Sequence, residues 1–167
     1  MDGIVLVAYA SRHGSTREVA EAVCESLQEA GVRAHLRPVG EVRDLTGYGA
    51  VVLGGSLYVG RWHAGAHRFL RRHATAFESR PLAVFALGPI PKREEDWAES
   101  RRQLEGALRR HAVEPVLVEV FGGRIDPEQL PFPLSRLQAA DARDWDVISG
   151  WARSLPAALG ANAPALV

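Results

Sequence analysis

Short apolar runs alternate along the chain with longer stretches in which apolar residues recur every three or four positions. The first run, IVLVAYA at residues 4–10, is too short for a membrane span and reads as a strand buried on both faces. Similar runs at 33–38, 50–54, 82–87 and 115–121 are each bounded by Gly, Pro or charge and predict four more strands. Between them, Val19, Ala20, Val23, Leu27 and Ala30 fall at helical spacing before Gly31, as do Ala66, Phe69, Leu70 and His73 within 63–75. The stretch 94–110 gathers Trp97, Leu104, Ala107 and Leu108 on one side, and 144–155 gathers Trp145, Ile148, Trp151, Ala152 and Leu155. A short turn of helix is expected near 41–45. Strands alternating with helices in this way predict an α/β fold, a doubly wound five-stranded parallel sheet with helices on both faces. Right-handed crossovers favour the strand order 2-1-3-4-5, which places a ligand crevice beyond the carboxyl ends of strands 1 and 3.

Composition narrows this picture. At 167 residues, 47% of them hydrophobic, the chain is expected to form one domain over residues 1–157, with a frayed tail at 158–167. Its 20 basic and 20 acidic residues cancel, so there is no general field for nucleic acid or an anionic membrane. Cys24 stands alone, which excludes a disulfide framework or thiolate cluster, and no metal site is expected. Asp2 sits where a signal peptide would be positive and no apolar segment is long enough to span a bilayer, so a cytoplasmic protein with no integral membrane segment is expected.

The candidate chemistry lies in the loops. After strand 1 the chain runs through Ser11, Arg12, His13, Gly14, Ser15 and Thr16 and starts a helix at once. Backbone N–H groups, hydroxyls and the positive end of a helix dipole would converge there on an anion, with Gly14 letting the backbone turn close and Arg12 adding charge. The same residues have a second reading, because Ser15 and Glu18 form an SxxE capping box that needs no ligand. After strand 3, GGSLYVGRWHAG at 54–65 sets Tyr58 and Trp62 between and after the turn-permitting Gly54, Gly55 and Gly60. They either stack on a flat ligand or pack down on the sheet, with His63 capping the next helix. A third loop, LGPIPKREEDW at 87–97, begins apolar and ends charged. Pro89 and Ile90 would wall a ligand and Lys92 and Arg93 would line an approach, or the acids that follow would answer a helix dipole. Neither GxxxxGK[ST] nor GxGxxG occurs, and nothing such as GxSxG supports hydrolysis.

SRHGST resembles the phosphate loop of flavodoxins, with His13 in place of the middle hydroxyl residue. Together with GGSLYVGRWHAGAHRFLRRH and RDWDVISGWARSL, the chain is similar over about residues 3–156 to the flavodoxin-domain family that includes the menaquinone-dependent protoporphyrinogen oxidases. The resemblance implies a flavodoxin-like fold and FMN as cofactor. Ser11, Arg12, His13, Gly14, Ser15 and Thr16 would surround its phosphate. Ser56, Leu57, Tyr58, Val59, Gly60 and Trp62, with Leu87, Gly88, Pro89 and Ile90, would border its ring. The backbone near Val59 and Gly60 would face flavin N5, and His13, His63 and Tyr58 are candidate proton donors, with no catalytic acid or base fixed by spacing. The implied role is an FMN-dependent oxidoreductase acting on protoporphyrinogen or a related reduced substrate. The alternatives are an electron-transfer flavodoxin serving a redox partner protein and a binding module without FMN; the absence of acidic bias departs from shuttle flavodoxins. Residues 122–144, interrupted by Pro127, Pro131 and Pro133 yet rich in apolar side chains, form either a lid or partner surface or a loop packed on the sheet edge.

Overall fold

In the computed structural model, which describes residues 3–88, 90 and 93–160, successive side chains of strand β1 (Ile4–Ala10) feed two separate cores. Val5 and Val7 join one apolar cluster, and Leu6, Ala8 and Ala10 join the other. This is the consequence of period-two geometry in a strand with no solvent face. Helix α1 (Ser15–Glu29) buries Val19, Ala20, Val23 and Leu27 on the first cluster. It ends as the sequence predicts: Gly31 N–H donates to the Gln28 carbonyl and Val32 N–H to that of Leu27, satisfying carbonyls that the helix leaves open.

Strand β2 (Ala34–Pro38) is followed by a 3-10 turn at Val39–Glu41, so the short helix expected near 41–45 lies earlier. Residues 42–45 are not helical, and Val42 and Leu45 are buried in the second cluster. Strand β3 (Tyr48–Tyr58) is longer than predicted and turns back into the two-residue strand β4 (Arg61–Trp62). Gly54 and Gly55 do not end it, since they make room for neighbours. A Cβ on Gly54 would stand 2.1 Å from the tip of the Phe85 ring.

Helix α2 (Ala64–Arg72), strand β5 (Leu82–Leu87), helix α3 (Glu94–Arg109) and strand β6 (Leu117–Phe121) follow close to expectation. A small hairpin of β7 (Arg124–Ile125) and β8 (Ala140–Asp141) precedes helix α4 (Trp145–Ala158). The main sheet is parallel, in the order β2-β1-β3-β5-β6. With the hairpin strand β4 set aside, this is the predicted 2-1-3-4-5. Helices α1 and α4 cover one face and α2 and α3 the other. Each fully buried Leu, Val or Phe on these faces contributes roughly 1.5–3 kcal/mol of transfer free energy.

Helix α4 runs through Pro156, and Leu159, placed by the sequence in a frayed tail, is buried in the first cluster. Leu155 and Leu159 lie one turn apart on the same buried face, which holds the last turn together despite the proline. The remainder of the expected tail lies outside the described residues.

Candidate functional site

Strand register brings three loops to one edge of the sheet. Ala10 pairs with Gly55, and Ser56 with Leu87, so the chain leaves β1, β3 and β5 at neighbouring points. The loops that follow therefore share the carboxyl end of the sheet, where parallel folds of this kind hold ligands.

In the loop after β1, Gly14 has φ +86, a left-handed conformation, and a Cβ there would meet nothing within 4 Å. The backbone thus presents an open surface at the N-terminus of α1. No side chain caps this end, since the N-cap residue is Gly14 itself. The first-turn amides have no intrahelical acceptor. Ser11 Oγ accepts from Gly14 N–H at 3.0 Å, which fixes the turn and leaves the serine's own hydroxyl proton free to donate. Thr16 is fully buried and its Oγ1 has no hydrogen-bond partner. A buried hydroxyl without a partner costs on the order of 1–3 kcal/mol, so the loop holds an unmet donor beside unmet amides. Arg12 and His13 are exposed at the rim. The capping box does not form: the Glu18 carboxylate instead accepts from Arg124 at 3.1 Å and from Arg143 at 2.6 Å.

Beyond Ser56 the chain forms a tight hairpin in which Tyr58 pairs with Arg61, leaving Val59 and Gly60 as its central residues. Both have positive φ, +47 and +71, as a two-residue turn matched to strand twist requires. For a β-branched residue this is strained backbone. Val59 is 82% exposed and Tyr58 50%, so the tip offers one apolar and one aromatic side chain to the crevice edge. Leu57 is buried. Trp62 is turned the other way: it is only 4% exposed, donates its indole N–H to the Gly55 carbonyl at 3.2 Å and packs in the second core cluster. Its part is to support the hairpin from below, and its ring is no stacking surface. The physical reason is that Gly55, lacking a side chain, admits the indole against the strand.

His63 caps α2, with Nδ1 accepting from Gly65 N–H at 3.0 Å. Burial, followed by the charges of Arg12 and Arg68, pushes its pKa below the usual histidine range. Because Nδ1 accepts, the ring in this arrangement carries its proton on Nε2. In the third loop, Leu87 and Gly88 are buried and Gly88 N–H donates to the Phe121 carbonyl at 2.8 Å. Ile90 is half-buried; Pro89 and Lys92 lie outside the described residues. Arg93 pairs with Asp96 in a capping arrangement at the start of α3.

Two features escaped the sequence. Gln103 of α3 lies against Gly60, its amide 3.3 Å from where a Cβ would stand, yet in the sequence it is one polar residue on an exposed helical face. The segment 122–144 is fastened to α1 beside the anion loop, through Glu18 to Arg124 and Arg143, while its tip leaves Phe132 and Leu137 exposed. Among the described residues no three His, Cys, Asp or Glu side chains gather as a metal site, and no helix is long and apolar enough to cross a membrane.

Comparison with known proteins agrees with this geometry. The model of a flavodoxin domain family matches residues 6–136. A protoporphyrinogen IX dehydrogenase [quinone] of Escherichia coli K12 is 29% identical over 92 residues, and its counterpart in strain O157:H7 matches equally. The chain spans about half the length of these curated relatives, 51% of each, and the match covers 54% of the chain. Among solved structures, oxidised flavodoxin 1 from Bacillus cereus has a TM-score of 0.58 at 13% identity, covering 95% of this chain and 97% of that one. A flavodiiron core from Synechocystis has a TM-score of 0.62 at 16% identity, over 95% of this chain and 36% of that one.

Proposed function

From the premise that the chain belongs to the flavodoxin domain family, we propose that it is an FMN-binding oxidoreductase whose substrate is protoporphyrinogen or a related reduced small molecule. The observation that carries the cofactor is Thr16: a buried, unpartnered hydroxyl at an uncapped helix N-terminus, beside a glycine with open space over it. A phosphate monoester supplies the acceptors that this donor set lacks. Nucleotide-binding loops of the P-loop type are absent, and the aromatic hairpin tip beside the loop suits a phosphate-bearing ligand with a flat ring.

When bound, FMN supplies the transfer of electrons between reduced substrate and acceptor. The chain's own residues do the rest. Ser11, Ser15, Thr16 and the amides of 15 and 16 hold the phosphate, with Arg12 adding charge and His13 at the rim. Ser56, Leu57, Tyr58, Val59 and Gly60 form one border of the ring site, and Leu87, Gly88 and Ile90 the other. Trp62 and Gln103 set the hairpin's height from beneath. His63, whose Nδ1 accepts from Gly65, presents its Nε2–H as a hydrogen-bond donor, and Tyr58 sets a half-exposed phenol at the hairpin tip. The substrate reading draws on the names of the Escherichia coli relatives; the zero net charge of the chain favours it over a general acidic shuttle.

The test is an absorbance spectrum of purified protein and a fluorescence titration with FMN, on wild type and Gly14→Asp. Flavin bands or stoichiometric quenching are expected in wild type and their loss in the variant, whose carboxylate would face the phosphate. Retention of flavin by Gly14→Asp would remove the site from this loop. Turnover of protoporphyrinogen with a small acceptor and no protein partner then separates an enzyme from a shuttle.

A further inference from the structure

A second concave surface lies on the α2 side of the loop that would hold FMN, with Gly65 packed close to Ala10 at the end of β1. Between the 3-10 turn at Val39–Glu41 and helix α2 runs a groove of about 560 Å³, within the range of small-ligand sites. Its floor includes Gly40, Gly65 and buried Phe69, and one wall carries Arg68, Arg71 and Arg72. These three arginines stand at i, i+3 and i+4, hence on one face of the helix, where like charges repel.

Elsewhere among the described residues, Arg109 on α3 and Arg153 on α4 stand singly without an ion pair, and the other α-helical arginines are paired. Arg17 on α1 pairs with Glu21, Arg101 on α3 with Glu105 and Glu119, and Arg102 with Glu99. Helix α2, AGAHRFLRR, contains no acid, and none of its three arginines has a carboxylate partner among the described residues. Among the described residues, the one hydrogen bond these arginines make is a long one, from Arg72 to the Val42 carbonyl at 3.5 Å. Gly65 also puts the groove at the first turn of α2, where the helix dipole is positive. Glu41 is the acid on the facing turn, one carboxylate against three guanidinium groups.

We propose that this groove binds a small polyanion carrying two or more phosphate or carboxylate groups, held by Arg68, Arg71 and Arg72 over the Gly40–Gly65 floor. A monoanion would neutralise one of the three cations; a molecule with paired anionic groups spans the face, and guanidinium forks suit both phosphate and carboxylate oxygens. Its three arginines stand on α2 and not in the Ser11–Thr16 loop, so the proposal stands whether or not FMN binds there.

The experiment is calorimetric titration with pyrophosphate and with citrate at low ionic strength, on wild type, Arg68→Glu, Arg71→Glu, Arg71→Gln and Arg153→Glu, and on Gly14→Asp. Arg68 and Arg71 are exposed, so their variants should fold; circular dichroism checks this, and Arg71→Gln serves if reversal does not. Saturable binding of at least one probe is expected, weakened tenfold or more by each glutamate in the groove and kept in Gly14→Asp. Preference for pyrophosphate or citrate then names phosphate or carboxylate as the natural group. Three results would each overturn the proposal. These are no saturable binding of either probe, binding lost in Gly14→Asp but kept in Arg68→Glu, and equal weakening by Arg153→Glu on the opposite face of the sheet, which would mean general charge.

Discussion

Arg143 reaches Glu18 at 2.6 Å from a side chain that is only 4% exposed, joining the hairpin before α4 to the first turn of α1. The same guanidinium holds Asp141 through two bonds, 2.9 and 2.6 Å, and lies over the Trp145 ring at 4.9 Å. Segment 122–144 is thereby fixed beside the anion loop. Arg143→Ala would leave two half-exposed carboxylates facing each other, and a loss of about 1–3 kcal/mol is expected in chemical denaturation. Asp141, held by Arg143, has its pKa lowered. Its contribution is therefore complete above the ordinary carboxylate value, about 4, and is lost as pH falls through the lower folded value. The acid limb of a stability–pH curve should be shallower in Arg143→Ala; an unchanged limb would show that the contact carries no linkage.

His67 Nδ1 and His111 Nε2 are 2.8 Å apart, one donating and one accepting, so both cannot be protonated in place. Burial is the main cause of lowered pKa values for both, with Arg110 adding repulsion to each; burial likewise lowers His63 and His73. Folded values below the unfolded one, about 6.5, mean stability that is fully present above that pH and lost as pH falls through the folded values. The thermal midpoint should drop between about pH 7.5 and about pH 5.5. His111→Gln should flatten that drop.

Thr16→Val removes a buried hydroxyl without changing shape. With no ligand present the variant should be as stable as wild type or slightly more so, because an unpartnered donor has gone. Affinity for FMN should fall by roughly tenfold, the worth of one hydrogen bond to a charged acceptor. Loss of stability with unchanged affinity would mean that the hydroxyl serves the fold.

Val59 at φ +47 is strained backbone at an exposed turn. Val59→Asn should raise stability by about 1 kcal/mol, since Asn tolerates the left-handed region and suits this turn. A higher melting midpoint together with weaker flavin binding would indicate strain kept for the ring site. No gain in the midpoint would show that the neighbouring residues already relieve it.

The fold was legible in the sequence because its signals are local and periodic. The buried run at Ile4–Ala10, the helical spacing from Val19 to Leu27 and Gly31 past the helix end each require only neighbouring residues, and parallel strands with right-handed crossovers leave few arrangements. The strand-to-helix loop at 11–16 was legible for the same reason: hydroxyls, one glycine and a helix start are adjacent in the chain. Tertiary structure alone decided which way an amphipathic side chain turns and which distant charges meet. Trp62 and Tyr58 look alike in the sequence, but space over Gly55 draws the indole into the core and leaves the phenol outside. Glu18 reads as a cap until Arg124 and Arg143, from beyond β6, take its carboxylate. Spacing along a chain reports what one element does with itself; burial and charge pairing depend on what the other elements bring against it, and only the folded chain brings them together.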